Sequence, residues 1–276
     1  MAASISAVVM TLNEERNIEY CLRSVRPWCD EVVLLDMESS DRTVEIAGKY
    51  ADQILSHEKI EGFDAGRQKA FDAAKGDWIF SLDADEVATP ELGAWIRKFV
   101  DSEPDADVAL IPRANVYLGR WLKSTSFWPG KPRLFRKGQV QVTPKLHKGL
   151  VPLSTARIAR LPEDPKIALW HFTMPTVQGM VERSNRYTSI EARQGLAAGK
   201  GAPTWFELMY ELARGIAPYI LRRGYRDGMS GLVYAIDQVY YRWLAVVKRW
   251  DEVNSPDRQP RYDTMREEIV SRFRSE

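Results

Sequence analysis

Apolar runs alternate with segments of helical periodicity over the first 112 residues. The apolar runs are short and rich in β-branched residues, and they predict buried strands at Ser4–Thr11, Glu31–Leu35, Gln53–Leu55, Trp78–Leu82 and Val108–Pro112. The intervening segments predict helices between Asn13 and Pro27, around Val44–Ala47, over Phe63–Lys75 and over 91–100. Such alternation is typical of an α/β fold with a doubly wound, mostly parallel sheet and flanking helices.

The pattern becomes irregular after residue 108, where glycine, proline and aromatic residues interrupt it. Arg133–Arg136 alternates like a short strand, and a further apolar run ends at Trp170–Phe172. Helices are predicted over 176–197, 204–222 and 229–249, with a short one over 262–274 in a highly charged tail. We therefore predict one domain over 1–202, with halves 1–107 and 108–202, followed by a helical extension over 203–276.

Polar residues follow three of the predicted strands at their carboxyl ends. They are Thr11, Asn13 and Glu14 after the first strand, Asp36 and Glu38 after the second, and Asp83, Asp85 and Glu86 after the fourth. Ligands of doubly wound sheets bind at the carboxyl ends of strands, so we expect these side chains to converge. Clustered carboxylates are tolerated in solvent or beside a cation, and Mg2+ uses one or two carboxylates together with substrate phosphates. Convergence favours a metal–diphosphate site over a plain polar turn.

Composition and charge narrow the class of protein. The 276 residues are 45% hydrophobic and include 9 Trp and 11 Tyr, as expected of a folded chain with a full core. The net charge of +1 gives no indication of a nucleic-acid partner, and we predict none. Residues 1–107 carry 11 basic and 23 acidic side chains, whereas 108–162 carry 11 basic and no acidic ones. This basic segment either offsets the charge of an anionic substrate or forms a solvated basic face.

Several classes of site lack support in the sequence. The two cysteines, Cys21 and Cys29, predict buried thiols in a reducing compartment, not a disulfide framework. Neither of the usual glycine-rich motifs for dinucleotides and phosphate loops is present. No uncharged apolar run reaches 18 residues, so no membrane-spanning helix is predicted.

The strand-end clusters and their spacing resemble family 2 glycosyltransferases with the GT-A fold. The resemblance rests on four segments in the family's order: Val8–Glu15, Val33–Thr43, Gly66–Lys69 with Ala74–Ile79, and Asp83–Glu86. A second resemblance, to the branch that includes lipopolysaccharide-core glucosyltransferases, rests on Arg133–Gly138, His147, Trp170–Phe172, Asn185–Tyr187 and Tyr225–Gly228.

The resemblance implies an inverting transfer of a hexose, glucose by this likeness, from a UDP-linked donor to a lipid-linked or lipopolysaccharide-core acceptor. Residues 1–107 would form the nucleotide-sugar half and 108–202 the acceptor half. The donor would be bound by Thr11, Asn13, Glu14, Asp36, Arg67 and Asp83. Asp85 and His171 would hold Mg2+ or Mn2+, and Glu86 and His147 would be catalytic. The protein would work in the cytoplasm, at the inner face of the cytoplasmic membrane.

Alternatives stay open at three points. Lys148 stands where the branch often has a glutamate, so the base that deprotonates the acceptor could be Glu86, Glu163 or Asp164. A non-catalytic nucleotide-sugar-binding or scaffold protein on the same fold is the alternative function. Residues 204–226 combine an aromatic apolar helix face with arginines, which indicates either an anionic membrane surface or packing against the core or a second copy.

Overall fold

The computed structural model describes residues 3–58, 64–125, 130–143, 149–173, 175–254 and 258–272. Its strands are β1 (Ile5–Thr11), β2 (Glu31–Asp36), β3 (Gln53–Ser56), β4 (Trp78–Asp83), β5 (Glu86–Ala88), β6 (Val108–Ile111), β7 (Arg113–Tyr117), β8 (Arg120–Trp121), β9 (Lys131–Arg136), β10 (Val140–Val142), β11 (Leu150–Pro152), β12 (Ile158–Arg160) and β13 (Leu169–Thr173). Its helices are α1 (Ile18–Val25), α2 (Thr43–Ala47), α3 (Asp64–Ala73), α4 (Pro90–Asp101), α5 (Val177–Ala197), α6 (Trp205–Leu221), α7 (Gly228–Asn254) and α8 (Gln259–Arg272).

A seven-stranded mixed sheet forms the centre of the α/β part, in the order β12-β6-β9-β4-β1-β2-β3. Strands β4, β1, β2 and β3 are mutually parallel, as predicted, and every residue of β1 is buried. Strand β9 departs from this direction, because it lies antiparallel between β4 and β6. The predicted mostly parallel sheet is confirmed, and β9 adds an antiparallel strand beside the carboxyl end of β4.

A second sheet, in the order β5-β13-β7-β8, continues from the end of β4. The turn Ala84–Asp85 connects β4 to β5, and β13 pairs with β5 on one side and with β7 on the other. His171 on β13 is therefore opposite Glu86 on one neighbour and Asn115 on the other. The region after residue 108, which is irregular in sequence, thus places β13 beside the carboxylates that follow β4.

Two apolar clusters cover the central sheet. One packs α1 and α4 against alternate side chains of the strands, including Ile18, Leu22 and Ile96, and the other packs Phe71 and Ala74 around α3. Helix α4 begins where Thr89 Oγ1 accepts a hydrogen bond from the Leu92 amide, with Pro90 in the first turn. Helices on both sides explain why these strands are apolar along their whole length.

The chain forms two compact units, residues 1–180 with 218–234 and residues 181–217 with 235–276. The second unit is helical, and the ion pairs Glu207–Arg249 and Glu211–Arg242 link α6 to α7 within it. The domain boundary near residue 202 stays a prediction. Within the described residues, no helix has both the length and the apolar character needed to cross a membrane.

Candidate active site

The polar clusters after β1, β2 and β4 meet at one edge of the central sheet. Thr11 pairs with Asp36 across β1 and β2, and Met10 pairs with Asp83 across β1 and β4. The Met37 amide donates to the Thr11 carbonyl, and the Ala84 amide donates to the Met10 carbonyl. The loops that follow the three strands therefore start side by side, as expected for the carboxyl ends of parallel strands.

Asp36 is buried and holds the loop that follows it. Its two carboxylate oxygens accept hydrogen bonds from the Ser39 amide, at 3.0 Å, and from Ser39 Oγ, at 2.5 Å. Ser39 Oγ in turn accepts from the Asn13 amide, and Asn13 Oδ1 accepts from the Ser40 amide, both at 2.8 Å. Asn13 has a φ of 55°, a left-handed conformation that asparagine tolerates better than most residues. These bonds join the loops after β1 and β2 into one wall.

Thr11 and Glu14 lie along the same wall. Thr11 Oγ1 is buried and has no hydrogen-bond partner in the part of the chain that the structure describes. Glu14 accepts a hydrogen bond from Asn17 Nδ2, and its amide donates to Thr43 Oγ1. A buried hydroxyl without a partner is uncommon in folded proteins, and a polar ligand atom would satisfy it.

Asp83 lies between two buried arginines. Its Oδ1 is 3.0 Å from Arg67 Nη2, and its Oδ2 is 2.6 Å from Arg133 Nη2. Burial alone would raise the pKa of Asp83, but the guanidiniums of Arg133 and Arg67 outweigh that effect and hold the pKa well below its usual range. Asp83 is therefore ionised, and it orients both arginines.

Glu86 is fully buried, and both its oxygens are occupied. Oε1 is 2.6 Å from Arg133 Nη2 and 3.7 Å from Arg113 Nη1, while Oε2 accepts from the Asp83 amide at 3.0 Å. A base must come within hydrogen-bond reach of the acceptor hydroxyl, and these contacts leave Glu86 no exposed oxygen. Its assignment as the base stays a prediction, while its contacts give it a second role, that of holding Arg133.

Cations lie close to Asp83 and Glu86, namely Arg67, Arg113, Arg133 and Lys131. Loss of hydration, together with the neighbouring Arg113 and Arg133, lowers the pKa of Lys131 to about 8. Arg67 Nε and Arg133 Nε are buried and lack a partner among the described residues. Crowded cations and unpaired donors are the electrostatic conditions that favour an anionic ligand.

Asp85 faces His171 at the junction of the two sheets. Asp85 Oδ2 is 3.2 Å from His171 Nε2, and the Asp85 carbonyl accepts from the Phe172 amide. On the other side of the ring, His171 Nδ1 is 3.3 Å from Asn115 Oδ1, and Asn115 Nδ2 donates to the Thr125 carbonyl at 2.8 Å. The contact with Thr125 fixes the orientation of the Asn115 amide, so His171 Nδ1 carries the hydrogen that is shared with Oδ1.

This hydrogen-bond chain has a consequence for the Asp85–His171 pair. With the hydrogen on Nδ1, a neutral ring presents the Nε2 lone pair to a carboxylate oxygen only 3.2 Å away. Two acceptors at that distance repel each other unless a proton or a cation lies between them. The ligands of one octahedral Mg2+ bind at about 2.1 Å and are thus about 3 Å apart, so this donor pair fits a divalent metal.

The metal site would contain few protein ligands. Within the described residues, no group of three or more His, Cys, Asp or Glu side chains is arranged to hold a metal ion. A divalent ion beside a diphosphate commonly takes one or two carboxylates from the protein and completes its shell with water and phosphate. Asp85 would supply the carboxylate, and His171 would add a nitrogen ligand.

Not every expected site residue can be placed. His147 lies outside the described residues, as does Lys148, while Glu163 is exposed and Asp164 accepts from the Lys166 amide. Sequence reasoning missed Arg113 and Asn115, and it gave Arg133 only a general part in offsetting charge. The signal that could have found Arg133 was its place at the start of the alternating segment Arg133–Arg136, within a stretch that has no acidic residue.

Comparisons with known proteins give a matching family and similar proteins. The profile of glycosyl transferase family 2 matches residues 6–156. The chain is 25% identical over 252 residues to the lipopolysaccharide core biosynthesis glycosyltransferase LpsC of Rhizobium meliloti, with 88% of this chain and 91% of that protein covered. It is also 25% identical over 256 residues to an uncharacterized glycosyltransferase of Rickettsia bellii, with 90% and 86% covered.

A crystal structure of S. aureus TarS 1–349 in complex with UDP-GlcNAc resembles this chain in fold. The TM-score is 0.50 at 17% identity, and the match covers 90% of this chain and 91% of that one. The likeness concerns the fold, and it confirms the predicted GT-A architecture.

Proposed function

The chain belongs to glycosyl transferase family 2, and from this premise we propose that it transfers a hexose from a UDP-linked donor, with inversion, to a glycolipid acceptor of the lipopolysaccharide-core type. The observation that supports the proposal most directly is the meeting of Thr11, Asp36, Asp83 and the Asp85–His171 pair at one sheet edge. The similarity to LpsC supports the acceptor class. Membership in this family makes the protein a glycosyltransferase, which removes the support for a non-catalytic binding protein.

The donor would lie along the wall formed by the loops after β1 and β2. Asp36 would accept a hydrogen bond from the base ring, and the buried Thr11 hydroxyl would gain a partner. Asn13 and Glu14 would line the same end. Arg67 and Asp83 would face the ribose and diphosphate, with Arg133 and Lys131 adding positive charge.

Asp85 and His171 would hold Mg2+ or Mn2+ next to the diphosphate. When bound, the metal would neutralise the charge that develops on the nucleoside diphosphate leaving group. The protein's part is to keep the His171 Nε2 lone pair available, which the Asn115 contact with Nδ1 does. Glu86, Glu163 and Asp164 remain the candidates for the base, His147 would position the acceptor or a phosphate, and the acceptor side is assigned to the half 108–202.

A thermal-shift panel of UDP-, GDP- and dTDP-hexoses, each with and without Mn2+, tests this proposal. We expect UDP-glucose with Mn2+ to raise the Tm most, because a ligand at 100 times its Kd stabilises by about 2.7 kcal/mol, a shift on the order of 5–10 °C for a chain of this size. No shift with any sugar nucleotide would contradict a donor site. A Tm shift of the same size with and without Mn2+ would contradict Asp85 and His171 as metal ligands.

Substitution of Asn115 tests the proposed metal pair without requiring activity. We expect Asn115→Leu to weaken Mn2+ binding about 10- to 100-fold, because the residues that orient metal-binding histidines contribute affinity of this size. Titration of free Mn2+ by electron paramagnetic resonance in the presence of UDP measures the change. Asn254→Leu, at an exposed asparagine whose side chain donates to the Trp250 carbonyl, is the matched control. Equal Mn2+ affinity in both variants would refute the role of Asn115.

A further inference from the structure

An exposed corner of the first unit carries large apolar side chains next to arginines. It consists of the end of α6, the turn Gly224–Asp227 and the start of α7. The exposed fractions of its four apolar members are 60% for Ile220, 79% for Leu221, 53% for Tyr225 and 73% for Met229. Single exposed apolar residues are ordinary, but four within ten positions form a patch of the kind that marks an interaction surface.

The charge of this corner is positive. Arg222, Arg223 and Arg226 are all exposed among the four apolar residues. Asp227 is the acidic residue of the segment 218–234, and its carboxylate accepts hydrogen bonds from the Lys123 amide, the Ser124 amide and Ser124 Oγ. The negative charge is thus used to fix the corner to the turn at 123–125, while the three arginines are exposed at the surface.

The backbone of the corner is tightly constrained. Arg223 adopts a left-handed φ of 57°, and Gly228 has a φ of 63°. A Cβ at Gly231 would come within 2.1 Å of the Gly224 carbonyl oxygen, so the first turn of α7 packs directly on the turn Gly224–Asp227. Tyr225 also contacts Tyr219 edge-on. The apolar side chains are therefore presented by a fixed scaffold and not by a loose loop.

We propose that the corner of Ile220, Leu221, Tyr225 and Met229 with Arg222, Arg223 and Arg226 docks on an anionic lipid surface. Aliphatic side chains enter the interfacial region of a bilayer while adjacent arginines contact acidic headgroups, at about 1 kcal/mol per cation. The charge complementarity selects this occupant over a second copy of the chain, whose identical corner would place arginines against arginines. The inference places membrane contact in a narrower segment than 204–226, because the amino-terminal part of α6 contains Glu207 and Glu211.

The proposal of membrane docking rests on the proposed function in one respect, namely that a glycolipid acceptor would lie in the same membrane. Flotation of the full chain with phosphatidylcholine vesicles, with and without phosphatidylglycerol, measures docking independently of transfer. We expect flotation with the anionic vesicles only. Vesicle binding by a chain that shows no donor binding would uphold this inference and refute the proposed function.

Two sets of variants locate the surface. Replacement of Arg222, Arg223 and Arg226 by glutamine should lower the partition coefficient onto anionic vesicles about 100-fold, roughly fivefold per cation. The control replaces the exposed Lys49, Lys75 and Lys98 by glutamine and so removes the same amount of positive charge. Leu221→Ser with Met229→Ser should also reduce binding and leave folding intact, since both side chains are exposed. Equal losses in the arginine and lysine variants, or no flotation of the unmodified chain, would overturn the proposal. Dimerisation that the serine variant abolishes would do so as well.

Discussion

Replacement of Asp85 by Asn should lower transferase activity on the order of 10³-fold, because stabilisation of the leaving-group charge by a metal and its ligands contributes several kcal/mol. The variant should fold, since Asp85 keeps its backbone contact with Phe172 and its side chain is partly exposed. Binding of UDP at the base end should persist because Thr11 and Asp36 are unchanged. Activity, Mn2+ affinity and UDP affinity are measured on the same preparation.

His171 provides the second half of this test. If Asp85 and His171 hold one ion, the double variant Asp85→Asn/His171→Asn should lose no more activity than either single variant, since residues that act as a unit are not additive. Asp101→Asn, at an exposed surface position, is the control for a lost carboxylate. Full activity and unchanged Mn2+ affinity in Asp85→Asn would rule out the metal assignment.

The meeting of the strand ends at one side of the candidate site could be predicted from the sequence because this geometry follows from local patterns. Thr11, Asp36 and Asp83 each end an apolar run, and parallel neighbours place such ends together whatever the details of the loops. The GT-A fold could be predicted for the same reason. Helices α5, α6 and α8 also lie close to their predicted bounds, because helical periodicity is a local signal.

The opposite side of the site could not be predicted in this way. Arg133 reaches Asp83 across 50 positions because β9 enters the sheet antiparallel, and hydrophobic periodicity does not report strand direction. Asn115 meets His171 across 56 positions through β7, a strand of mixed burial that gave no clear alternation. Both contacts depend on long-range pairing between short strands, which the local sequence specifies weakly.

Replacement of Arg133 by Met should lower the free energy of unfolding by about 3–5 kcal/mol, the usual effect of removing one partner of a buried ion pair. Glu86 would stay fully buried, with Arg113 at 3.7 Å as its nearest described cation and a single hydrogen bond to the Asp83 amide. Arg157→Met is the control, since its pairs with Asp105 and Asp107 lie at the surface and such pairs contribute less than about 1 kcal/mol. Urea denaturation compares the two variants.

The companion variant Glu86→Gln separates the two roles of Glu86. If Glu86 positions Arg133, Glu86→Gln combined with Arg133→Met should recover at least half of the lost stability, because the double variant buries no unpaired charge. The carbonyl oxygen of the introduced glutamine would still accept from the Asp83 amide. If Glu86 is instead the base, Glu86→Gln alone should abolish transfer while the Mn2+ and UDP affinities stay unchanged. A stable Glu86→Gln enzyme that keeps its activity would exclude Glu86 as the base and leave Glu163 and Asp164 as the candidates, since Glu86 then acts through Arg133 only.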